Sequence, residues 1–250
     1  MYGKGQIMIS SKLERSTKIV ATIGTATDDP NIIKKLIKTG VNVFRLNFSH
    51  GNQGDHLKRI TYIRSAEKEM NANVAILADL QGPKFRVGEV KDESKVIKGS
   101  NFVFDKDPEI GNFKRVNLPH NEIFKSLSIG SKILMDDGKL QFKVKDISKD
   151  EITTEVVVGG VIKSNKGVNL PDVVINTSPL TSKDFEDLKF ILNQEIDWIA
   201  LSFVQKLKDV EEVKKYIRDK AGVIAKIEKP SALKELNEII EACDGIMVAR

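Results

Sequence analysis

The sequence predicts an α/β fold in which about six βα units form a parallel sheet or barrel, interrupted by a small all-β domain. Strand-like segments start near residues 18, 41, 74, 197, 223 and 245, with a repeat of about 25 residues. Amphipathic helical patterns fill the intervals. One interval, between the third and the fourth strand, exceeds 110 residues and changes to alternating apolar and polar residues.

The first three strands alternate with two helices. Strands are predicted for three segments rich in apolar and β-branched residues, at 18–24, 41–49 and 74–80. Asp29 and Pro30 supply an N-cap and a first-turn proline for the first helix, and Gly40 ends it. Leu57, Ile60 and Ile63 mark the second helix.

The long interval, 87–169, carries hairpin signals. Leu140, Phe142 and Val144 alternate with polar residues, and turns are predicted at Asp136-Asp137-Gly138 and Gly159-Gly160. An insertion after the third strand lies at the C-terminal end of the strands, where barrel active sites form. We therefore expect this β domain to act as a lid.

The remaining strands are predicted at 197–203, 223–227 and 245–249, and the last intervening helix at the positions of Leu233, Leu236, Ile239 and Ile240. The chain stops at Arg250, directly after the sixth strand. Six strands cannot close an eight-stranded barrel, so a truncated barrel and an open six-stranded sheet both remain. The predicted domains are a first barrel part at 1–86, an inserted β domain at 87–170 and a second barrel part at 171–250.

Composition narrows the class of protein. Forty basic and 35 acidic residues give a net charge of +5, spread without aromatic interleaving, which favours small anionic substrates only weakly. No basic stripe points to nucleic acid, and no apolar run is long enough for a membrane span or a signal peptide. The single cysteine excludes an internal disulfide, and the three histidines lack zinc-ligand spacing. We expect a cytoplasmic protein.

Polar residues follow one face of the second strand. Arg45, Asn47 and Ser49 occupy alternate positions toward its C-terminal end. Arginine offers a rigid fork for phosphate, and amide and hydroxyl oxygens suit hard cations. The alternative is a purely structural pairing of Arg45 with a neighbouring carboxylate.

The third strand also ends in charged residues. Asp79, Lys84 and Arg86 surround a turn predicted at Gly82-Pro83. Asp79 can ligate a cation or pair with Lys84. Both outcomes place charge at a strand end.

The fifth strand ends with a cation and an anion two positions apart, Lys226 and Glu228, which therefore share a face. Together they can hold a phosphate and a divalent metal, or they form a simple ion pair. Charge at three strand ends favours a site, because desolvation usually offsets the Coulomb gain of a buried pair. The sequence contains no P-loop and no dinucleotide-binding glycine motif after a strand.

These residues lie in segments that resemble the N-terminal part of the pyruvate kinase family. The segments follow the family's order over almost the whole chain: K-I-V-A-T-I-G, V-F-R-L-N-F-S-H-G, A-D-L-Q-G-P-K-F-R-V-G, I-L-M-D-D-G, K-G-V-N-L-P, L-T-S-K-D, A-L-S-F-V-Q, A-K-I-E-K-P and D-G-I-M-V-A-R. The resemblance implies a partial (β/α)8 TIM barrel with a β lid. It also implies phosphoryl transfer from phosphoenolpyruvate to ADP, giving pyruvate and ATP in the last step of glycolysis.

The resemblance assigns roles by position. Arg45 contacts the phosphate of phosphoenolpyruvate, Lys226 stabilises the phosphoryl group in transfer, and Glu228 binds Mg²⁺, for which Mn²⁺ can substitute. Two further groups match the family's nucleotide-side and monovalent-cation positions. The first comprises Asn47, His50, Arg86 and Lys166, and the second comprises Asn47, Ser49, Asp79 and the Leu80 carbonyl.

The chain departs from the family at three points. Lys84 stands where potassium-dependent members carry an acidic residue, so its ammonium can replace K⁺. Thr25 stands where many members have proline beside the adenine. The family's Gly-Asp-Leu-Gly, which carries the second Mg²⁺ carboxylate, comes after M-V-A-R and is not part of these 250 residues.

We therefore expect little or no turnover from the chain alone. The family is usually homotetrameric, and an open barrel need not assemble in that way. Two alternatives remain: a non-catalytic fragment that binds phosphoenolpyruvate, nucleotide or a complementary chain, and a metal-dependent aldolase or similar barrel enzyme. The second alternative leaves the predicted lid unexplained.

Overall fold

The computed structural model describes residues 15–92, 94–175 and 177–249. Arg250, the last residue after the sixth predicted strand, lies outside the described residues. The first elements in chain order are β1 (Val20–Thr22), α1 (Pro30–Thr39), β2 (Val43–Asn47), α2 (Gln53–Glu69) and β3 (Ala75–Asp79). A short 3₁₀ turn, Thr25–Thr27, precedes α1.

The next elements are mainly short strands: β4 (Lys95–Val96), β5 (Asn101–Asp105), β6 (Arg115–Asn117), α3 (Asn121–Ser126), β7 (Lys132–Met135), β8 (Leu140–Ile147), β9 (Glu151–Val158), β10 (Gly160–Val161) and β11 (Val168–Asn169). The last elements again alternate: α4 (Ser182–Ile191), β12 (Trp198–Leu201), α5 (Leu207–Ile217), β13 (Gly222–Ile227), α6 (Leu236–Ala242) and β14 (Gly245–Val248). The order of elements is that of an α/β chain with a β-rich middle.

The described chain divides into two compact units. Unit 1 holds the residues up to Gln81, Ser182–Leu201 and Tyr216–Ile224, and unit 2 holds Gly82–Thr181, Ser202–Lys215 and the residues from Ala225 onward. Hydrogen-bonded strands follow the order β1-β2-β3-β12-β13-β14 in one sheet and β11-β7-β8-β9-β5-β6 in another. In unit 1, β1, β2, β3 and β12 pair in parallel.

Local chemistry sets the first helix as the sequence predicts. The Asp29 carboxylate accepts hydrogen bonds from the Asn31 and Ile32 amides, and Pro30 occupies the first turn. Gly40 ends the helix at φ 111°, a left-handed conformation that glycine adopts without a Cβ penalty. These predictions are confirmed.

The core of unit 1 fixes the orientation of β2. Phe44 and Leu46 are fully buried, while Val43, Arg45 and Asn47 are only partly buried. Because side chains alternate across a strand, burying the two apolar residues places Arg45 and Asn47 on the opposite face. The only tryptophan of the chain, Trp198 on β12, lies against Gly222, where an added Cβ would come within 2.5 Å of the indole ring.

Unit 2 contains the predicted β hairpin. Asp136, Asp137 and Gly138 all have positive φ, and they connect β7 to β8. The alternating residues Leu140, Phe142 and Val144 are buried as predicted. The function of this sheet as a lid and the boundaries 1–86, 87–170 and 171–250 stay predictions.

One helix differs from its prediction. Leu233 was expected on the apolar face of the last helix, but it lies in a 3₁₀ segment, Pro230–Glu235, and is 60% exposed. Pro230 has no amide hydrogen, and the Ala232 amide bonds to Lys229 O three residues back, so the α-helix begins only at Leu236. Within 15–92, 94–175 and 177–249, no helix is both long and apolar enough to cross a bilayer.

Candidate active site

Arg45 in unit 1 forms an ion pair with Asp79. Its Nε donates to Asp79 Oδ2 at 2.8 Å, and its Nη1 donates to Thr22 Oγ1 at 2.8 Å. Register explains the contact, because β1, β2 and β3 are parallel neighbours and Thr22, Arg45 and Asp79 lie at or near their C-terminal ends. The structural alternative for Arg45, pairing with a carboxylate, is therefore present, and the side chain is still 26% exposed.

Asp79 is the more buried of the two predicted site carboxylates, Asp79 and Glu228. Only 2% of its side chain is exposed, and the guanidinium of Arg45 neutralises it. Asp79 was predicted to ligate a cation or to pair with Lys84, and within unit 1 it forms an ion pair with Arg45. The following residue, Leu80, is buried, and its amide donates to Ala200 O.

The turn after β2 carries Ser49 and His50, two predicted site residues. Asn47 Oδ1 accepts the Ser49 amide at 3.0 Å, so this side chain closes the turn. Lys183 on α4 donates to Phe48 O at 2.6 Å, and it also forms an ion pair with Asp187. The turn thus has a defined backbone path.

His56 on α2 holds the same turn. Its Nε2 lies 3.0 Å from His50 O, and its ring stacks on Phe48 with centroids 4.0 Å apart. Burial lowers the pKa of His56, and the neighbouring Arg59 acts in the same direction. His56 is therefore neutral near pH 7, with Nε2 donating to the His50 carbonyl.

Lys226 and Glu228 in unit 2 are in contact, as their spacing predicts. Lys226 Nζ lies 3.2 Å from Glu228 Oε1, and the two side chains are 11% and 13% exposed. Lys226 belongs to β13, whereas Glu228 follows the strand directly. A cation and an anion are therefore held together at the end of a strand, largely out of water.

Two residues that sequence reasoning missed contact this pair. Lys226 Nζ donates to Ser202 Oγ at 2.8 Å, and the Phe203 amide donates to Glu228 Oε2 at 3.0 Å. Both residues follow β12. Neither hydrophobic periodicity nor turn composition marks them, since A-L-S-F-V has the pattern of a buried strand.

The predicted nucleotide-side residues of unit 2 are Arg86 and Lys166. Arg86 is exposed, and its Nη1 donates to Asn165 O at 2.8 Å. Lys166 Nζ lies 2.8 Å from Asp136 Oδ1, and this hydrogen bond lowers the pKa of Asp136. Lys84 is exposed, and its amide bonds to Gly82 O. The side chains of Arg86 and Lys166 thus have separate partners within unit 2.

Lys229 is a third residue that the sequence pattern did not single out. It is 6% exposed, and its Nζ donates to Gln205 Oε1 at 3.3 Å. Burial lowers its pKa to about 8. Gln205 also bonds to both the amide and the carbonyl of Ile175, so this buried group ties three segments of unit 2 together.

The donor chemistry fits a hard divalent cation at one carboxylate. Among the described residues, each Glu228 oxygen has one polar partner. A carboxylate oxygen accepts through two lone pairs, so one acceptor position per oxygen remains. Mg²⁺ typically takes one or two carboxylates and completes its shell with substrate phosphate and water. No group of three or more His, Cys, Asp or Glu side chains suited to a metal occurs within the described ranges.

Comparison with known proteins gives a consistent result. The family model "Pyruvate kinase, barrel domain" matches residues 14–250. A pyruvate kinase of Methylorubrum extorquens is 49% identical over 240 residues, covering 96% of this chain and 50% of the relative. A pyruvate kinase of Agrobacterium vitis is 46% identical over 239 residues, covering 94% and 50%, and that of Geobacillus stearothermophilus is 39% identical over 245 residues, covering 95% and 42%. The chain spans about half the length of the curated relatives it matches.

Proposed function

The chain belongs to the pyruvate kinase family, and from this premise we propose that it functions in phosphoryl transfer from phosphoenolpyruvate to ADP, giving pyruvate and ATP. The observation that carries the proposal is the contact between Lys226 and Glu228 at the end of β13. Such a pair is costly as a purely structural device, because desolvation of two charges offsets most of their attraction. Its placement at a strand's C-terminal end suits chemistry.

Lys226 acts on the group in transfer. The bond between phosphorus and the enol oxygen of phosphoenolpyruvate breaks, a bond from phosphorus to a β-phosphate oxygen of ADP forms, and the enolate left behind takes up a proton to give pyruvate. Charge spreads over the phosphoryl oxygens during this step, and a fixed ammonium stabilises it. Ser202 orients that ammonium.

Glu228 is the residue that would hold Mg²⁺. When bound, the metal supplies positive charge to the phosphate oxygens of the substrates. The protein's own contribution is to orient the carboxylate, which contacts both the Lys226 ammonium and the Phe203 amide.

Arg45 binds the phosphate of phosphoenolpyruvate in this proposal. A guanidinium has five N–H groups. Arg45 donates from Nε to Asp79 and from Nη1 to Thr22, and its Nη2 also contacts Asp79, so two N–H groups remain. The remaining N–H groups and the 26% exposure of the side chain suit a phosphate ligand. Asp79 would then keep the arginine in place.

The nucleotide and monovalent-cation assignments rest on the family. Asn47, His50, Arg86 and Lys166 are proposed nucleotide-side residues. Asn47, Ser49, Asp79 and the Leu80 carbonyl are proposed cation positions. We propose that Lys84 makes K⁺ dispensable, and strong activation by KCl in an assay otherwise free of Na⁺ and K⁺ would contradict this. The cytoplasmic location stays a prediction, and so does the expectation that this chain need not assemble as the family's usual homotetramer.

A coupled assay tests the proposal. Pyruvate formed from phosphoenolpyruvate, ADP and MgCl₂ is measured for the parent chain and for Lys226→Met and Glu228→Gln, with Lys163→Met as a matched control at an exposed lysine. The turnover expected of the parent chain alone is low. We expect each site variant to lose that turnover by about 10²- to 10³-fold, and the control to keep the parent value. Equal turnover in all four proteins would contradict the proposal. Calorimetric binding of phosphoenolpyruvate without any turnover would instead favour the non-catalytic binding fragment.

A further inference from the structure

Phe203 has an unusual backbone. Its φ is +59°, in the left-handed region that residues with a side chain rarely adopt, and it directly follows Ser202 after β12. Strained residues of this kind persist where surrounding contacts fix them, and they cluster at functional sites. The contacts of Ser202 and Phe203 show what this conformation accomplishes.

The two consecutive residues each hold one member of the charged pair. Ser202 Oγ accepts from Lys226 Nζ at 2.8 Å, and the Phe203 amide donates to Glu228 Oε2 at 3.0 Å. Lys226 and Glu228 contact one another at 3.2 Å, which closes a ring of interactions. The ring uses a backbone amide of Phe203, so its geometry depends on the torsion at that residue.

Gly82 lies close to Ser202 and Phe203 and leaves room for their conformation. A Cβ at position 82 would lie 3.0 Å from Phe203 Cδ2, from Ser202 Cβ and from Ser202 O. Gly82 itself has φ +68°. Any side chain at position 82 would therefore push against both Ser202 and Phe203.

We propose that Ser202 and Phe203, supported by Gly82, form a clasp that positions Lys226 and Glu228 for the reaction. The functional part of this inference rests on the proposed function, whereas the clasp itself rests on the contacts above. A carboxylate that accepts a fixed amide and an ammonium that donates to a fixed hydroxyl keep their orientation before substrate arrives. Phe203 acts through Glu228 and is a positioning residue.

A substitution series at Phe203 separates the clasp from simple packing of the phenylalanine ring. The chain is prepared with Phe203→Gly, Phe203→Ala and Phe203→Val, and NMR records the amide proton of residue 203. Left-handed backbone is easy for glycine, harder for alanine and hardest for a β-branched residue. We expect the hydrogen bond to the Glu228 carboxylate to shift this amide proton downfield. Phe203→Gly should keep that downfield shift, Phe203→Val should lose it, and Phe203→Ala should lie between them.

The Glu228→Gln variant identifies the acceptor. It replaces a charged acceptor by a neutral one, so the residue 203 amide is expected to move upfield in the parent and in Phe203→Gly, but not in Phe203→Val. Gly82→Ala should reproduce the effect of Phe203→Val. If packing of the phenyl ring determined the position of the amide, Phe203→Gly would show the largest change in the amide shift. That order would overturn the inference.

Arg218 provides the matched control. It has φ +53°, is exposed and belongs to unit 1. Arg218→Gly and Arg218→Val carry the same conformational change, and we expect neither to shift the residue 203 amide. A shift in Arg218→Val equal to that in Phe203→Val would also overturn the inference. If Phe203→Val fails to fold, the comparison of Phe203→Gly with Phe203→Ala and Gly82→Ala decides.

Titration with Mn²⁺, followed by the electron paramagnetic resonance of the free ion, links the clasp to the proposed function. We expect Mn²⁺ affinity to be within about twofold of the parent in Phe203→Gly and about tenfold weaker in Phe203→Val. If the variants show the expected order of amide shifts but the parent chain binds no Mn²⁺, the clasp is retained and the result counts against the proposed function. If the parent binds Mn²⁺ but the variants show the reverse order, the proposed function is retained and the clasp is overturned.

Discussion

Two arginines in unit 1 sit at opposite ends of the parallel strands and are bound very differently. Arg64 on α2 reaches the starts of β3 and β12, where it donates to Val74 O, Glu195 O, Glu67 and Asp197. Arg45 on β2 lies toward the ends of the strands and donates to Asp79 and Thr22.

Hydrogen-bond saturation distinguishes the two. Arg64 donates five hydrogen bonds, counting two to Glu195 O, which equals its number of N–H groups. Arg45 uses three of its five N–H groups, two toward Asp79 and one toward Thr22, and its side chain is more exposed, at 26% against 18%. A saturated arginine stabilises the fold, whereas an unsaturated one has donors for a ligand. The contrast follows the general division of barrels into a stabilising N-terminal face and a functional C-terminal face.

The largest expected effect is that of Arg64→Met on stability. The change removes the guanidinium from Asp197, Glu67 and two carbonyls, and the two carboxylates keep only backbone amide donors, from Ile76 and Val74. We expect the free energy of unfolding to fall by about 3 kcal/mol. This is the low end of the range for breaking a buried ion pair, since Asp197 is 42% exposed. Urea unfolding followed by far-ultraviolet circular dichroism measures it.

Arg64→Lys serves as the control. It keeps the positive charge and loses the fork, so an intermediate loss is expected. A loss below about 1 kcal/mol in Arg64→Met, the value typical of a surface pair, would break the comparison.

The second effect concerns ligand binding. Arg45→Met should weaken phosphoenolpyruvate binding by about 10- to 100-fold, because hydrogen bonds to a charged group contribute about 1.5–3 kcal/mol. Arg64→Met, measured by calorimetry at a temperature at which both variants stay folded, should leave this affinity unchanged. If phosphoenolpyruvate binding were weakened equally in the two variants, the number of unused hydrogen-bond donors would not distinguish the roles of the two arginines.

The smallest expected effect is a loss of folding stability in acid, near the C-terminal ends of the strands, where Arg45 lies. Burial lowers the pKa of His56, so below its ordinary value of about 6.5 the unfolded chain binds a proton that the folded chain does not. Stability is therefore full above that value and falls as the pH drops below it. The added charge would face Arg59 and Lys183, with Asp187 as the opposing carboxylate.

Hydrogen exchange can locate this loss. Between pH 7 and 5.5, protection factors of the Ser49 and His50 amides should fall, while that of Ile76, next to the Arg64 network, should change less. His56→Gln, which keeps a donor for His50 O, should remove the difference. Uniform loss of protection would mean that the two ends of the strands do not respond separately.

The sequence predicts those features that local chemistry determines. Asp29, Pro30 and Gly40 mark a helix because capping and φ preferences act within a few residues. Lys226 and Glu228 meet because alternation along a strand is a fixed geometric rule.

Other features depend on tertiary contacts and leave no trace in periodicity. The left-handed torsion of Phe203 is set by a carboxylate 25 positions away and by the space that Gly82 leaves. Arg64 looks like an ordinary polar residue of a surface helix, because its partners Glu195 and Asp197 are distant in sequence. Leu233 fits a helical pattern that Pro230 interrupts.

The packing of Trp198 against Gly222 makes the chain its own optical probe. The sole indole belongs to unit 1, and of the three tyrosines Tyr62 and Tyr216 belong there too, whereas segments 82–181, 202–215 and 225–249 contain neither residue type. Intrinsic fluorescence therefore reports melting of the first unit and is blind to the second. If the unfolding transitions followed by fluorescence emission and by circular dichroism do not coincide, the two units unfold separately.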